Sequence, residues 1–204
     1  MPSLEVVGFD FDQTLADSTS GIHECLIHTS QIYGAEFQIE TLREIAESGL
    51  KLDPMLRQFL PEDVIVQARQ TFLDVYPQKG IAGTRAKEGA ALLLQKLRDA
   101  RIKLVLISAK SQYNLELSIN HLKFDFDEVY GGVSGQEKTD CILKSNAQIY
   151  IGDQESDVKA ANEAGIRAVF VNQIAPTFDL LENPCWCFSN LSELMDALDP
   201  SIDF

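Results

Sequence analysis

The stretch LEVVGFDFDQTL, residues 4–15, determines how the rest of the chain is interpreted. Its first half, residues 4–9, is an apolar, β-branched run of the kind that forms a strand buried on both faces. Two acids, Asp10 and Asp12, follow where this strand ends. Side chains alternate along an extended chain, so residues two apart project to the same side. Both carboxylates are therefore expected to face one crevice.

Four further short runs repeat this strand-like pattern, at residues 102–107, 126–131, 148–152 and 166–171. Helical patterns separate them, with apolar positions at Ala86, Ala90, Leu93, Leu94 and Leu97 before the second run and at Leu115, Ile119 and Leu122 after it. An alanine-rich helical segment, residues 154–164, stops at Gly165. Residues 186–198 predict one more short strand and a helix. This alternation predicts an α/β fold with a doubly wound, parallel, Rossmann-like sheet.

One long interval, residues 15–83, interrupts the alternation because it contains no strand-like run. A complete βαβ unit needs only ~30 residues, so a helical unit has been inserted. Apolar periodicity predicts four helices, centred on residues 22–33, 42–46, 55–60 and 65–76, and Pro77, Gly80 and Gly83 mark the exit. We therefore predict an α/β core domain of residues 1–15 and 83–204 and a helical cap domain of residues 16–82. The cap emerges at the carboxyl end of the first strand, where open α/β sheets bind ligands.

The composition excludes several classes of function. A formal net charge of -14 opposes binding to nucleic acid and to anionic membranes. There is no basic N-terminal region and no apolar run of the ~20 residues that a membrane span requires, so we expect a soluble, cytoplasmic protein. The four cysteines are scattered and are interpreted as reduced thiols. A small anionic substrate remains compatible with this charge if the site has local positive charge of its own.

Polar residues recur at the ends of the later strands. Ser108 directly follows the second strand, Asp153 follows the fourth, and Asp157 lies in the first turn of the next helix. Lys138 begins the helix before the fourth strand. Each alone has an ordinary explanation: Ser108 and Asp153 as helix N-caps, Asp157 as an acid favoured by the helix dipole, and Lys138 as one of 17 basic residues.

Taken together, these residues meet the two acids of the first strand at one edge of the sheet. Carboxylates after the first and fourth strands form an all-oxygen cluster of the kind that binds Mg²⁺, usually together with a phosphate. Lys138 provides the local positive charge that the acidic composition requires.

The order of FDFDQT, LVLISAK, Lys138 and IYIGDQESD resembles the four motifs of the haloacid dehalogenase superfamily. The inserted helices resemble the cap of its phosphoglycolate phosphatase and β-phosphoglucomutase branch. The resemblance implies that Asp10 attacks phosphorus and that Asp12 acts as general acid and then general base. It also implies that Ser108, the backbone amide of Ala109, and Lys138 hold the phosphoryl oxygens.

The same resemblance implies a Mg²⁺ site formed by the Asp10 carboxylate, the Asp12 carbonyl and Asp153, with Asp157 either as a further ligand or orienting through water. Two positions depart from the family pattern: Gln13 stands where glycine is usual, and Thr139 where proline often follows the lysine. The expected activity is Mg²⁺-dependent hydrolysis of a small phosphorylated metabolite. Transfer of the phosphoryl group back to a sugar, as in a phosphomutase, and a purely binding role remain alternatives. The sequence leaves the oligomeric state open.

Overall fold

The chain divides into two compact units in a computed structural model that describes residues 4–35, 38–48 and 50–198. One unit comprises Met1–Ala16 with Ala86–Phe204, and the other comprises Asp17–Arg85. The boundaries predicted from the sequence were 15/16 and 82/83. Two short paired strands lie at the two points where the chain passes between the units.

Within the described residues, the strands are β1 (Val6–Phe9), β2 (Ala16–Asp17), β3 (Arg85–Ala86), β4 (Lys103–Ser108), β5 (Glu128–Gly131), β6 (Ile149–Gly152), β7 (Arg167–Val171) and β8 (Trp186–Phe188). The helices of the same residues are α1 (Thr19–Ile32), α2 (Ile39–Glu47), α3 (Leu52–Leu56), α4 (Ile65–Val75), α5 (Lys79–Gly83), α6 (Ala90–Asp99), α7 (Gln112–Leu122), α8 (Gln136–Ser145), α9 (Glu155–Glu163) and α10 (Leu191–Ala197). A short 3-10 helix, Glu62–Val64, precedes α4. None of these helices has the length and apolar character needed to cross a membrane.

The larger unit is built on one six-stranded sheet with the strand order β5-β4-β1-β6-β7-β8. Each neighbouring pair is parallel, so the predicted α/β fold with a parallel sheet is confirmed. The chain builds the sheet outward from β1 in one direction through β4 and β5, and in the other through β6, β7 and β8. This reversal is a topological switch point, which leaves a crevice beyond the carboxyl end of β1.

Both faces of the sheet are covered, which explains the nearly continuous apolar runs. On one face, Phe9, Leu106 and Ile151 pack in a core that includes residues of α6, α7 and α10. On the other face, Val105 and Tyr150 pack with residues of α8 and α9. Because side chains alternate along each strand, a strand in the middle of this arrangement needs apolar residues at consecutive positions.

Two details of the predicted helices are wrong. Ala86 does not belong to the helix before the second core strand; it lies exposed in β3, and the helix begins at Ala90. Gly89, at φ +82°, turns the chain immediately before that helix, so the helix cannot extend back to Ala86. The third cap helix also ends at Leu56, before the predicted Leu60.

The predicted exit from the cap is itself helical. Residues 79–83 form α5, which packs against α1. The glycines there allow close approach of the two helices, since a methyl group at Gly21 would collide with the carbonyl oxygen of Gly80. Gly83 faces the backbone of Gly21 in the same way. These residues therefore serve helix packing, whereas the sequence pattern indicated only an exit turn.

Candidate active site

The strand order brings the sequence-predicted residues to one edge of the sheet. Asp10 and Asp12 follow the central strand β1, and the backbone N–H of Asp10 donates to the carbonyl of Ile151 at 2.8 Å. Ser108 ends β4 on one side of β1, and Asp153 follows β6 on the other side. These side chains therefore lie around the crevice at the switch point.

Three carboxylates and one lysine form a buried cluster in this crevice. Asp10, Asp153 and Asp157 are only 8%, 3% and 2% exposed, and their nearest carboxylate oxygens all lie within 4.8 Å of one another. Lys138, 5% exposed, donates from Nζ to Oδ1 of Asp10 at 3.0 Å and to Oδ1 of Asp157 at 2.6 Å. The cluster thus joins the residues that directly follow β1 and β6 to residues of α8 and α9.

The electrostatics of the cluster favour a further positive charge. Burial, followed by repulsion from Asp157, raises the pKa of Asp10 to about 8 despite the opposing effect of Lys138. Burial, again with repulsion from Asp157, raises the pKa of Asp153 to about 6. Burial would lower the pKa of Lys138, but the attraction of nearby negative groups, including Asp10 and Asp157, outweighs it and the pKa is raised. One lysine does not offset three carboxylates.

The donor set fits a hard divalent cation. Buried oxygen ligands in close proximity, with uncompensated negative charge, are what Mg²⁺ binds in proteins. Asp10, Asp153 and Asp157 could hold such an ion. The carboxylate of Asp12 is not part of this cluster, which leaves its backbone carbonyl as the group that the sequence analysis assigned to the metal.

Hydrogen bonds from neighbouring groups orient two of these carboxylates. Thr14 Oγ1 donates to Oδ1 of Asp153 at 2.9 Å, and Gln154 Nε2 donates to Oδ2 at 2.9 Å. The backbone N–H of Gln154 donates to Oδ2 of Asp157 at 3.0 Å, completing a capping box at the start of α9. Gln154 is therefore the N-cap of α9, and the alternative explanation of Asp153 as a cap is wrong.

The region after β4 carries the remaining predicted residues. Ser108 is buried, and its Oγ accepts a hydrogen bond of 3.4 Å from the backbone N–H of Lys110. Ser111, rather than Ser108, is the N-cap of α7 and accepts from the backbone N–H of Asn114 at 3.4 Å. Ala109 is exposed at the turn between them. Ser108 thus has a position beside β1 that helix capping does not explain.

Three residues of the site were not identified from the sequence. Thr14 is one, and Lys110 is another: its Nζ lies 2.9 Å from both carboxylate oxygens of Asp12. The third is Lys87, whose Nζ donates to the carbonyl of Gln13 at 2.8 Å. Lys110 stands two positions after Ser108 in the LVLISAK motif, and this proximity was the available signal. The pairing with Asp12 required the tertiary structure.

Gln13 adopts a left-handed backbone conformation, with φ +63°. Its N–H donates to the carbonyl of Ala16 at 2.7 Å, closing the tight turn after Asp12. Such a conformation is accessible to glycine without steric cost, but it is unfavourable for residues with a side chain. This geometry explains why glycine is the usual residue at this position in the family that the motifs resemble.

The fold and the cluster define an α/β protein with an inserted helical unit and an acidic, lysine-containing site at the switch point. The family of haloacid dehalogenase-like hydrolases matches residues 7–171. The chain belongs to this family, as the order of its motifs predicted. Comparison with curated proteins gave no match.

Solved structures resemble the chain over nearly its whole length. A provisionally named phosphatase from Clostridium difficile is 21% identical, with a TM-score of 0.84 over 98% of this chain and 100% of that one. A haloacid dehalogenase-like hydrolase from Streptococcus pneumoniae is 24% identical, with a TM-score of 0.80 over 98% and 100%. A provisionally named hydrolase of the same family from Bacillus subtilis, bound to magnesium, is 14% identical, with a TM-score of 0.74 over 97% and 99%. At these identities, the likeness establishes the fold.

Proposed function

We propose that the protein is a Mg²⁺-dependent phosphatase that hydrolyses a small phosphate monoester through an aspartyl-phosphate on Asp10. The observation that carries this proposal is the position of Asp10. Its carboxylate lies at the switch point, accepts a hydrogen bond from Lys138, and is within 4.8 Å of two further buried carboxylates. A nucleophile, a cation site and a fixed positive charge thus meet at the place where this fold binds ligands.

Asp10 attacks phosphorus as the carboxylate anion. Its raised pKa, about 8, means that burial and the neighbouring acids oppose ionisation, and that added positive charge is needed to favour the reactive form. Lys138 supplies one such charge directly. Mg²⁺ held by Asp10, Asp153, Asp157 and the carbonyl of Asp12 would supply a further charge, both to the nucleophile and to the phosphoryl oxygens.

In the first step, a bond forms between an Asp10 oxygen and phosphorus while the ester P–O bond breaks, and Asp12 donates a proton to the leaving oxygen. In the second step, Asp12 takes a proton from water and the water oxygen bonds to phosphorus, while the bond between the Asp10 oxygen and phosphorus breaks; this releases inorganic phosphate and restores the Asp10 carboxylate. Ser108, the amide of Ala109, and Lys138 hold the phosphoryl oxygens in both steps.

Two further considerations favour phosphate ester chemistry. The presence of an acid at Asp12 matches the requirement for protonating an ester oxygen, and the dehalogenases and phosphonate hydrolases of the family characteristically lack one. Among the structures that share the fold, one is named provisionally as a phosphatase and another is bound to magnesium.

A screen of phosphorylated metabolites for phosphate release, with Mg²⁺ or with a chelator, tests this proposal. Asp10→Asn should lower turnover by roughly 10³-fold or more, because the amide is not a nucleophile. Asp125→Asn is the matched control, since the Asp125 side chain is 82% exposed and forms an ion pair with Arg98. Activity that survives Asp10→Asn, or that needs no divalent metal, would contradict the proposal. An isomerised sugar phosphate without phosphate release would indicate a phosphomutase.

A further inference from the structure

Lys110 and Asp12 form a bidentate ion pair beside the proposed nucleophile. Lys110 Nζ lies 2.9 Å from Oδ1 and 2.9 Å from Oδ2 of Asp12. The two residues follow adjacent strands, β4 and β1, and are 98 positions apart in the chain. We propose that Lys110 is a positioning residue that holds Asp12 in the orientation required of the general acid and base, an inference that rests on the proposed phosphatase function.

The burial of the pair indicates which residue is fixed by the other. The Lys110 side chain is only 7% exposed, whereas that of Asp12 is 32% exposed. The ammonium group also lies 5.6 Å from the centroid of the Phe11 ring. An ammonium this deeply buried remains where its partners are, because leaving them would cost desolvation without compensation. Lys110 is thus a fixed anchor, and Asp12 is the accessible group that it orients.

The pair leaves Asp12 able to transfer a proton. When Asp12 carries the proton that it donates in the first step, its other oxygen can still accept a hydrogen bond from Lys110. When Asp12 is ionised, each oxygen has a second lone pair besides the one that accepts from Lys110, and that lone pair can take up a proton. The Asp12 side chain is 32% exposed, so it is more accessible than that of Lys110. Lys110 therefore restricts rotation of the carboxylate without occupying all of its acceptor sites.

The two lysines of the site have separate partners. Lys138 donates to Asp10 and Asp157, whereas Lys110 donates to both oxygens of Asp12. Asp10 and Asp12, which are only two positions apart in the chain, thus each have their own compensating cation.

A positioning role predicts that the effect of Lys110 depends on the leaving group. An alkoxide leaving group needs a proton from Asp12, whereas 4-nitrophenolate leaves without one. The ratio kcat/KM reports formation of the aspartyl-phosphate, the step in which this proton is donated. We expect Lys110→Met to lower kcat/KM for an alkyl phosphate substrate by about 10- to 100-fold, but for 4-nitrophenyl phosphate by less than about 3-fold.

A double-mutant cycle with Asp12→Asn separates this role from direct contact with substrate. If Lys110 acts through Asp12, Lys110→Met should cause less than about 2-fold further loss in the Asp12→Asn background. Lys110→Arg, which keeps the charge and two donors, should retain more alkyl ester activity than Lys110→Met. Lys103→Met is the matched control, because Lys103 also pairs with a carboxylate, that of Glu128, at the other end of β4. Lys103→Met should leave kcat/KM unchanged for both the alkyl phosphate and 4-nitrophenyl phosphate.

The outcomes distinguish this inference from the function on which it rests. Equal losses for both esters, or a loss that persists in the Asp12→Asn background, would show that Lys110 acts on the substrate and would overturn the positioning role. A wild-type protein without Mg²⁺-dependent turnover, or an active Asp10→Asn variant, would overturn the phosphatase function and this inference with it. Thermal unfolding of each variant checks folding, and Lys110→Gln replaces Lys110→Met in the same comparison if the latter does not fold.

Discussion

Thr14 Oγ1 donates a hydrogen bond of 2.9 Å to Oδ1 of Asp153, a residue 139 positions further along the chain. Both side chains are buried, Thr14 completely. The bond links the turn after β1 to the end of β6, so it sets the direction in which Asp153 presents its oxygens to the carboxylate cluster. Groups that orient metal ligands in this way commonly affect metal affinity.

We therefore expect Thr14→Val to weaken Mg²⁺ binding by about 10-fold, because the nearly isosteric side chain leaves Asp153 without one of its two orienting hydrogen bonds. Isothermal titration of the protein with Mg²⁺ measures the effect. Thr29→Val is the control, since Thr29 is equally buried and donates to the carbonyl of Cys25 at 2.8 Å. Unchanged affinity in Thr14→Val would show that Asp153 does not depend on this bond.

Gly152→Ala should inactivate the protein. A methyl group at Gly152 would collide with the side chain of Asp157, which holds Lys138 through a 2.6 Å hydrogen bond. Displacing Asp157 misplaces Lys138, and a misplacement of about 1 Å costs roughly 100-fold in activity. Steady-state phosphate release with saturating Mg²⁺ measures the loss.

Gly165→Ala separates this effect from simple destabilisation. Gly165 has φ +72° and nothing within 4 Å of an added methyl group, so alanine there strains only the backbone. This variant should lose about 1 kcal/mol of unfolding free energy and keep its activity. If Gly152→Ala is as active as Gly165→Ala, the close approach between Gly152 and the Asp157 side chain does not matter for activity.

The stability of the metal-free protein should fall as the pH rises. Burial raises the pKa of Asp10 to about 8 and that of Asp153 to about 6, whereas both acids titrate near ~4 in the unfolded chain. At pH values between the unfolded pKa of about 4 and the folded pKa of each acid, the folded protein holds a proton on that acid and the unfolded chain does not. This contribution to the free energy of unfolding is therefore complete below about pH 4 and is lost as the pH rises through about 6 and about 8.

Mg²⁺ should reverse this trend, since it competes with protons for the same carboxylates. We expect saturating Mg²⁺ to raise the melting temperature by about 5 °C or more at pH 8, and by less at pH 6. Thermal unfolding with and without Mg²⁺ across this pH range measures both effects. Asp10→Asn should flatten the dependence between pH 6 and pH 8; an unchanged slope in that variant would assign the titration to other groups.

Gln13→Gly should stabilise the protein slightly. A left-handed conformation costs a residue with a side chain about 1–2 kcal/mol, and glycine's greater freedom in the unfolded chain offsets roughly half of the gain. The hydrogen bond from Lys87 is retained because it goes to the backbone carbonyl. We expect a gain of about 0.5 kcal/mol in chemical denaturation.

Gln13→Val is the opposing variant, and we expect it to lose about 1–2 kcal/mol because a β-branched residue is poorly tolerated at positive φ. A loss of stability in Gln13→Gly would show that the Gln13 side chain contributes more than its backbone conformation costs.

The apolar runs of this sequence were sufficient to predict the parallel sheet. Burial on both faces requires consecutive apolar residues, and this requirement is local, so residues 4–9 and 148–152 reveal their strands directly. Placing Asp10, Ser108 and Asp153 at one edge followed from their positions at strand ends. The structure differs from the sequence prediction where tertiary packing overrides a local pattern, as it does at Gly21 and Gly80, where two helices of the inserted unit pack closely.

The sequence by itself thus determined the fold class, the family and the edge of the sheet where the acids lie. Only the tertiary structure decided which charge compensates which acid: Lys138 contacts Asp10 from 128 positions away, and Lys110 contacts Asp12 from 98 positions away. Strand order and loop conformation set such pairings, and neither leaves a periodic pattern in the chain. A buried charge is stabilised by whichever partner the folded backbone brings within about 3 Å, and that distance is a property of the assembled sheet.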